Sequence, residues 1–150
     1  MAVPKKTVIF DIDGTIADIA HRREFLQKIP PDWRRFNDSM GDDTPNEPVV
    51  ALYKVLWRSQ QFELVLATGR KEESRKVTEQ WLVWNNIPFN TLLMRADGDA
   101  RADNLIKEEI LDKLLADGAQ IAFVVDDRQQ VVDMWRRRGI VCLQCDIGDF

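Results

Sequence analysis

The stretch "VIFDIDGTIAD", residues 8–18, begins as a buried strand would and stops at two carboxylates, Asp11 and Asp13. Two acids placed two residues apart repel each other and lose solvation on burial, so a fold keeps them there only if a partner or ligand offsets that loss. Gly14 follows directly and permits a sharp turn in which backbone N–H groups can face an anion. The stretch therefore predicts a strand that ends at a site for an ion or a phosphate.

Apolar runs of strand length recur along the chain, at residues 7–10, 62–67, 91–94, 121–125 and 140–144. Each run is continuous rather than alternating, which is typical of parallel strands covered on both faces. Patterns of helical spacing separate the runs. This alternation predicts an α/β fold with an open sheet of about five parallel strands and right-handed crossovers.

The helices are expected where apolar residues recur at helical spacing between capping signals. The first follows a capping arrangement at residues 44–47,. The third begins at Asp103 or Asn104 and ends near Gly118,. In the first helix, Val49, Leu52, Tyr53 and Leu56 recur at helical spacing. The second is expected over residues 71–85 and the fourth from about residue 128 to residue 138.

Residues 19–47 do not fit the alternation of strands and helices. They are too long for a simple connection and too rich in Trp, Phe and Leu to be disordered,. We expect one or two short helices here, forming a small cap over the site. Trp33 is expected in the core of this cap, with stacking on a nucleic-acid base as the alternative. The chain as a whole, residues 1–150, is expected to be a single domain.

The composition narrows the class of protein. The chain of 150 residues carries a formal net charge of −4, which argues against coating long stretches of duplex but not against binding one terminal phosphate. No apolar window is long enough for a membrane span, and the N-terminal apolar run is too short for a signal peptide,. We therefore expect a cytoplasmic protein, in the host cytoplasm if it is encoded by a phage, with no membrane partner.

Cysteine and histidine are too few for the common metal or redox sites. Cys142 and Cys145 lie three residues apart on a predicted strand and so should face opposite sides of the sheet,. Two small buried residues are a better interpretation of this pair than a redox or metal motif. His21 is the single histidine of the sequence.

Polar residues follow three of the predicted strands. The first ends in Asp11 and Asp13, the second in Thr68, Gly69 and Arg70, and the fourth in Asp126, Asp127 and Arg128. The carboxyl ends of parallel strands lie along one edge of the sheet, so these side chains should converge. The clustered carboxylates offer oxygen ligands for a hard cation, and Mg²⁺ with retained waters suits so small a set.

Two other interpretations could explain the acids after the first and fourth strands. A calcium loop starting at Asp11 fails because Ile16 stands where that motif needs glycine and Arg22 where it needs a bidentate glutamate,. Solvated surface acids are the second alternative, although a carboxylate pair directly after a buried strand rarely has that explanation.

Lys107 lies near the start of the third predicted helix, where a cation opposes the helix dipole,. We expect a negative group to compensate it. Pairing with a neighbouring glutamate is one possibility. Together with Thr68 and the acids, binding of a phosphate is the better explanation.

These residues resemble the haloacid dehalogenase (HAD) superfamily of phosphotransferases. Its signature is DxDGT, then Thr or Ser, then Lys, then an acidic pair, matched here by residues 11–15, Thr68, Lys107 and residues 126–127. The stretches "DNLIKEEIL" and "VVDDRQQVVDMWRRRGIVCLQCDIGDF" are similar to the phosphatase half of the bacteriophage polynucleotide kinase/3′-phosphatases. The resemblance implies a Rossmann-like HAD fold with strand order 3-2-1-4-5. No GxxxxGK[ST] motif is present in the chain, so no kinase activity is expected,.

The resemblance also implies roles for individual residues. Asp11 would be the nucleophile, and Asp13 the general acid and base, with a pKa raised by the neighbouring carboxylate. Mg²⁺ would be held by Asp11, Asp126 and Asp127 and by Asp13 through its carbonyl. The substrate phosphate would be held by Thr68 and Lys107 and by the amides of Gly14 and Thr15. The remaining expected substrate-binding residues are Arg22, Gly69, Arg70 and Asp103.

The expected function is a Mg²⁺-dependent phosphomonoesterase that removes 3′-phosphates from DNA or RNA ends, or from nucleotides. A separate kinase or ligase is a candidate partner. A 5′-nucleotidase acting on free nucleotides is the first alternative, and a non-catalytic nucleic-acid-binding module is the second. A receiver-like signalling module is disfavoured because its phosphorylated Asp follows the third strand, where this chain has Arg95.

Overall fold

The computed structural model describes residues 3–148. Their strands and helices follow one another in the order β1 (Lys6–Phe10), β2 (Ala17–Asp18), α1 (Ala20–Arg23), α2 (Trp33–Asp38), β3 (Thr44–Pro45), α3 (Glu47–Ser59), β4 (Phe62–Lys71), α4 (Arg75–Trp84), β5 (Thr91–Arg95), α5 (Asp103–Ala116), β6 (Ile121–Arg128), α6 (Gln129–Arg137) and β7 (Cys142–Gly148).

A parallel sheet of five strands forms the centre of the molecule, in the order β5-β4-β1-β6-β7. Counted along the chain, these are the third, second, first, fourth and fifth of the predicted strands. The fold class and the strand order are therefore confirmed. Because β1 is the central strand, the acids that follow it lie between the ends of β4 and β6.

Both faces of the sheet are covered by apolar cores, as the continuous apolar runs predict. Val8 and Phe10 of β1 face a core that includes residues of α3, α4 and the cap, whereas Ile9 faces a core that includes residues of α5 and α6. Cys142 belongs to the second core and Cys145 packs against the first. The prediction that these two cysteines face opposite sides is confirmed.

Several element bounds differ from the sequence-based expectation because two strands continue past their apolar run. β4 extends through the polar residues to Lys71, so the following helix begins only at Arg75, after a 3₁₀ turn over Glu72–Ser74. β6 likewise extends to Arg128 and delays α6. The apolar pattern ends where each strand reaches the polar edge of the sheet, although the backbone pairing continues.

The predicted helix caps are wrong in detail. Thr44 and Pro45 belong to β3, and Asn46, which precedes α3, uses its side chain to donate to Thr15 O at 2.9 Å. α5 starts at Asp103 itself. Lys107, expected near the start of this helix, is its fifth residue.

The cap lies between β2 and β3, which pair antiparallel and form its stem. α1 with a 3₁₀ turn over Glu24–Leu26, and α2 with a 3₁₀ turn over Met40–Asp42, build it. Phe36 and Met40 of the cap are buried. The prediction of one or two short helices is confirmed.

Among residues 3–148, no helix has the length and apolar character that crossing a membrane requires.

Candidate active site

The loop after β1 is shaped by short backbone hydrogen bonds. Gly14 N donates to Ala17 O at 2.9 Å, and Thr15 N donates to Ile12 O at 3.1 Å. Gly14 has φ +81°, and a Cβ at this position would lie 2.1 Å from Asp127 Oδ2, so only glycine fits,. The Gly14 and Thr15 amides were expected to face a phosphate. In the structure both are used within the loop, because the turn closes on itself.

Three carboxylates meet at the sheet edge. Asp11, Asp126 and Asp127 are buried, and one oxygen from each lies within 4.8 Å of the others. Trp135 Nε1 donates to Asp126 Oδ2 at 3.2 Å and fixes that side chain. Thr15 Oγ1 lies 3.2 Å from both Asp11 Oδ2 and Asp127 Oδ1. The expected convergence of the ends of β1 and β6 is therefore present.

Lys107 reaches this cluster from α5. Its side chain is 1% exposed, and Nζ donates to Asp11 Oδ1 at 2.7 Å and to Asp126 Oδ2 at 3.1 Å. Burial by itself would lower the pKa of Lys107, but the carboxylates of Asp103, Asp11 and Asp126 raise it well above the ordinary value,. The lysine is a fixed buried cation, compensated by aspartates and not by a neighbouring glutamate.

Lys107 and the more distant Arg23, whose Nη2 lies 3.8 Å from Asp127 Oδ2, are the cations that face these three carboxylates. Burial and then the charge of Asp126 raise the pKa of Asp11 well above its ordinary value, and the same two causes raise the pKa of Asp127 to about 6,. Within the described residues, Asp127 Oδ2 is buried and accepts no hydrogen bond. Three clustered hard oxygens, one of them without a donor, fit a Mg²⁺ ion. Asp11, Asp126 and Asp127 are the residues that would hold it.

Asp13 turns away from this cluster toward the cap. Arg22 Nη2 and Arg70 Nη2 each donate to Asp13 Oδ1 at 2.6 Å, and Arg70 Nε lies 3.1 Å from the same oxygen. Burial would raise the pKa of Asp13, but Arg70 and Arg22 outweigh it and hold this pKa well below the usual range,. The expectation that crowding by Asp11 raises the pKa of Asp13 is wrong, because neighbouring positions on the loop face different partners.

Arg22 is fully buried under the cap. Its guanidinium lies 4.3 Å from the centre of the Phe36 ring, and Nη1 donates to Phe36 O at 3.1 Å. Arg70 is also buried, and its Nη1 donates to Thr78 Oγ1 at 3.0 Å. Arg22 was expected to bind substrate. In the structure its guanidinium contacts Asp13, Asp43 and Phe36.

The end of β4 supplies Thr68 and Gly69. Thr68 is fully buried, and its Oγ1 accepts a hydrogen bond from Arg70 N at 3.1 Å. A Cβ on Gly69 would lie 2.3 Å from Asp103 Oδ1, so glycine is needed for the close approach of α5. Gly69 therefore lies beside Asp103, whereas the hydrogen bond of Thr68 is with Arg70.

Asp103 is surrounded by cations. Its Oδ2 lies 3.5 Å from Lys107 Nζ and 3.6 Å from Arg128 Nη1, and its Oδ1 lies 3.7 Å from Arg95 Nη2. Arg95 in turn donates from Nε to Gly69 O at 2.8 Å. Arg95 was not among the predicted site residues. Its position directly after the third predicted strand, at the polar edge of the sheet, could have indicated a site role.

A cavity of about 110 Å³ opens above these residues, lined by Asp11, Asp13, Trp33, Phe36, Asn37, Gly69, Arg70, Arg95, Asp103 and Arg128. It shares most of this lining with an outer groove of about 440 Å³ that also reaches Lys71 and Arg101. Trp33 is 49% exposed and contacts Phe36 edge to face at 5.6 Å. Trp33 was expected mainly in the cap core, but its ring forms part of the cavity and groove walls.

Known proteins of one family match nearly the whole chain. Residues 5–150 match the family described as the polynucleotide kinase PNKP phosphatase domain. The chain belongs to this family. Membership in this family supports the assignment of the chain as a phosphatase, which is a kind of hydrolase. It also agrees with the resemblance to the HAD superfamily.

Individual relatives support the assignment to the PNKP phosphatase family. A protein of Autographa californica nuclear polyhedrosis virus, assigned as a bifunctional polynucleotide kinase/RNA ligase, is 26% identical over 132 residues, which are 87% of this chain and 18% of the viral protein. A chain in the structure of the Pnkp1/Rnl/Hen1 RNA repair complex is 34% identical, with a TM-score of 0.83, over 97% of this chain and 44% of that chain. The present chain thus spans less than half of either relative.

A more distant structure agrees in fold alone. The haloacid dehalogenase-like hydrolase of Streptococcus pneumoniae has a TM-score of 0.60 at 14% identity, covering 93% of this chain and 84% of the other.

Proposed function

We propose that this domain is a Mg²⁺-dependent phosphatase that removes 3′-phosphates from the ends of DNA or RNA. The observation that carries the proposal is the position of Asp11. It lines the cavity, is held at 2.7 Å by a buried lysine and shares an oxygen cluster with Asp126 and Asp127. A buried carboxylate beside fixed cations is suited to attack a phosphoryl group whose negative charge those cations offset.

In the first step, an Asp11 carboxylate oxygen forms a bond to phosphorus while the bond from phosphorus to the sugar oxygen breaks. The leaving oxygen takes a proton from the Asp13 carboxyl, which lines the same cavity,. Because Arg22 and Arg70 hold the pKa of Asp13 low, Asp13 carries this proton only once the negative charge of the bound phosphate offsets the two arginines,. In the second step, Asp13 accepts a proton from a water molecule that attacks the phosphorus. The aspartyl-phosphate is hydrolysed, and the Asp11 carboxylate is restored.

The remaining cations hold the phosphoryl group during these steps. Lys107 is fixed beside Asp11, and Arg70, Arg95 and Arg128 line the cavity wall. Their charges stabilise the phosphoryl oxygens as charge shifts in the transition state. A bound Mg²⁺ would supply additional neutralisation of the phosphate that the anionic nucleophile approaches.

The outer groove supports a polynucleotide substrate over a free nucleotide. The 110 Å³ inner cavity opens into a groove four times as large, between the cap and the loop after β5. Trp33 offers half of its ring there, and Lys71 contributes positive charge, whereas Arg101 of the same groove is paired with Asp99 and Glu109. Aromatic rings and cations along a groove are the means by which proteins bind single strands. The names of the relatives support a role beside a kinase and a ligase in end repair.

The test compares four substrates at equal concentration: a 3′-phosphorylated oligonucleotide of DNA, the same sequence in RNA, a 3′-mononucleotide and a 5′-mononucleotide. We expect release of phosphate from both oligonucleotides, loss of turnover with chelator and recovery with Mg²⁺. Asp11→Asn is the inactive control. A clear preference for the 5′-mononucleotide would overturn the proposal in favour of a nucleotidase, and tight oligonucleotide binding without turnover would favour a binding module.

Trp33→Ala tests the groove separately. Loss of one base stacking contact of roughly 1–3 kcal/mol corresponds to an increase in KM of about tenfold or more for the oligonucleotide. The KM for the 3′-mononucleotide should change little. Equal effects on both substrates would mean that Trp33 supports the cap and contacts no base.

A further inference from the structure

Asp43 lies at the end of the cap, one residue before β3, and its side chain is fully buried. Its Oδ1 accepts a hydrogen bond from Arg22 Nε at 2.8 Å and lies 2.7 Å from His21 Nε2. Its Oδ2 accepts from Arg22 Nη2 at 2.7 Å and from Arg70 Nη2 at 3.2 Å. Neither pocket lining includes Asp43. Its side chain therefore contacts Arg22, Arg70 and His21 and lies outside the lining of the cavity and groove.

The same two arginines contact Asp13. Arg22 Nη2 lies 2.6 Å from Asp13 and 2.7 Å from Asp43, and Arg70 Nη2 lies 2.6 Å from Asp13 and 3.2 Å from Asp43. Two guanidinium groups and two carboxylates thus form a closed, nearly charge-balanced square. Asp13 is its cavity-lining corner, with 20% of its side chain exposed.

The backbone of Asp43 is fixed independently of this square. Trp81 Nε1 of α4 donates to Asp43 O at 2.8 Å. Trp81 belongs to the core that includes residues of α3, α4 and the cap, so this core sets the position of Asp43. Asp43 in turn sets the planes of the two guanidinium groups. A planar guanidinium that donates to two carboxylates has little rotational freedom. The chain of contacts runs from Trp81 through Asp43 and the arginines to the Asp13 carboxyl.

We propose that Asp43 is a positioning residue, which holds Arg22 and Arg70 so that they fix the Asp13 carboxyl beside the leaving oxygen. The proposal rests on the proposed function, in which Asp13 donates the proton. Without Asp43, two buried arginines face one carboxylate and one buried positive charge is unbalanced. The guanidinium groups then turn toward Asp13 or solvent, and the carboxyl loses its fixed orientation. Because Asp43 belongs to the cap, the geometry of the proton donor depends on the folded cap.

The test uses leaving groups that differ in their need for a proton. A sugar alcohol needs the proton from Asp13, whereas 4-nitrophenolate leaves as a stable anion. We expect Asp43→Asn to lower the single-turnover rate of alcohol release from the 3′-phosphorylated oligonucleotide by about 10- to 100-fold, because loss of orientation has effects of this size. The single-turnover rate of 4-nitrophenolate release from 4-nitrophenyl phosphate should fall less than about threefold, because this first step needs no proton and precedes hydrolysis of the aspartyl-phosphate. Asp42→Asn, at the exposed neighbouring position, is the matched control and should match the wild type on both substrates.

Asp13→Asn is the reference variant. It should slow release of the sugar alcohol far more than release of 4-nitrophenolate, and by a larger factor than Asp43→Asn does. If wild type is active but Asp13→Asn slows leaving-group release equally from both substrates, the assignment of the proton donor fails, and with it the proposed function. If Asp13→Asn slows mainly the release of the alcohol but Asp43→Asn slows both releases equally, only the inference about Asp43 is overturned. Should Asp43→Asn not fold, Asp43→Glu carries the test, because it keeps the charge and displaces it. A selective loss supports the inference, and an equal loss on both substrates contradicts it.

Discussion

Replacing Asp11 by asparagine should make the metal-free protein more stable while it abolishes turnover. The side chain keeps its size and can still accept a hydrogen bond from Lys107 Nζ, which lies 2.7 Å from Asp11 Oδ1. What is removed is one of three buried negative charges whose oxygens lie within 4.8 Å of one another. The two effects on stability oppose each other, so their sizes decide the sign.

The distances allow an order-of-magnitude comparison. At an effective dielectric constant of about 20, the attraction between Asp11 and Lys107 at 2.7 Å is about 6 kcal/mol,. Repulsion from each neighbouring carboxylate at 4.8 Å or less is at least about 3.5 kcal/mol, so the two repulsions together exceed the attraction,. Burial of the charged form adds to the unfavourable side. We therefore expect Asp11→Asn to raise the free energy of unfolding by about 1–2 kcal/mol, or about 2–8 °C in Tm.

The measurement is urea and thermal unfolding of both proteins in chelator and at increasing Mg²⁺. A ligand at 100 times its Kd stabilises the folded state by about 2.7 kcal/mol, and the wild type has one more ligand for the ion than the variant. The order of stability should therefore reverse as Mg²⁺ is added. Asp38→Asn, with a 72% exposed side chain, is the control and should not change the order. A variant less stable than wild type in chelator would refute the charge argument.

Three further outcomes are expected from single positions. Lys107→Met should lower the free energy of unfolding in chelator by about 3–5 kcal/mol, because it leaves buried carboxylates without their cation, whereas exposed Lys113→Met should have little effect by the same urea titration. Gly14→Ala should destabilise by more than Gly118→Ala, since both have positive φ but only the first Cβ meets a carboxylate, at 2.1 Å; equal losses in thermal unfolding would exclude the clash. Burial raises the pKa of Cys145 to about 11, so mass spectrometry should find native alkylation by iodoacetamide at pH 8 roughly 200-fold slower than for an ordinary thiol; rapid labelling would contradict this.

The sheet and much of the site could be predicted because their signals are local. Continuous apolar runs identify parallel strands, and the geometry of a parallel sheet brings the strand ends to one edge. The geometry of the sheet and the resemblance of the motifs were enough to predict that Asp11, Asp126 and Asp127 converge with Lys107. The predicted strand ends were short because a polar residue at the sheet edge can still pair through its backbone, as residues 68–71 do in β4.

The partners of Asp13 could not be predicted in the same way. Sequence spacing places Asp13 beside Asp11, but the turn at Gly14 directs the two side chains to different groups. Which groups they meet depends on the path of the cap, and a short irregular insert carries no periodicity from which a path can be derived. Asp43 is 30 residues from Asp13 in sequence and joins it only through arginines, so no motif links them.

Two acids two residues apart are thus stabilised by different means. Asp11 lies with two other carboxylates against Lys107, with Arg23 3.8 Å from the third carboxylate, so its surroundings carry an excess of negative charge that favours a cation. Asp13 lies with Asp43 against two arginines, and that group is balanced by the protein alone. Arg70 of this group belongs to β4, whereas Arg22 and Asp43 belong to the cap. The cap therefore has a role beyond covering the cavity, since its Arg22 adds a second cation to the one that the sheet supplies to Asp13 and its Asp43 balances the added charge.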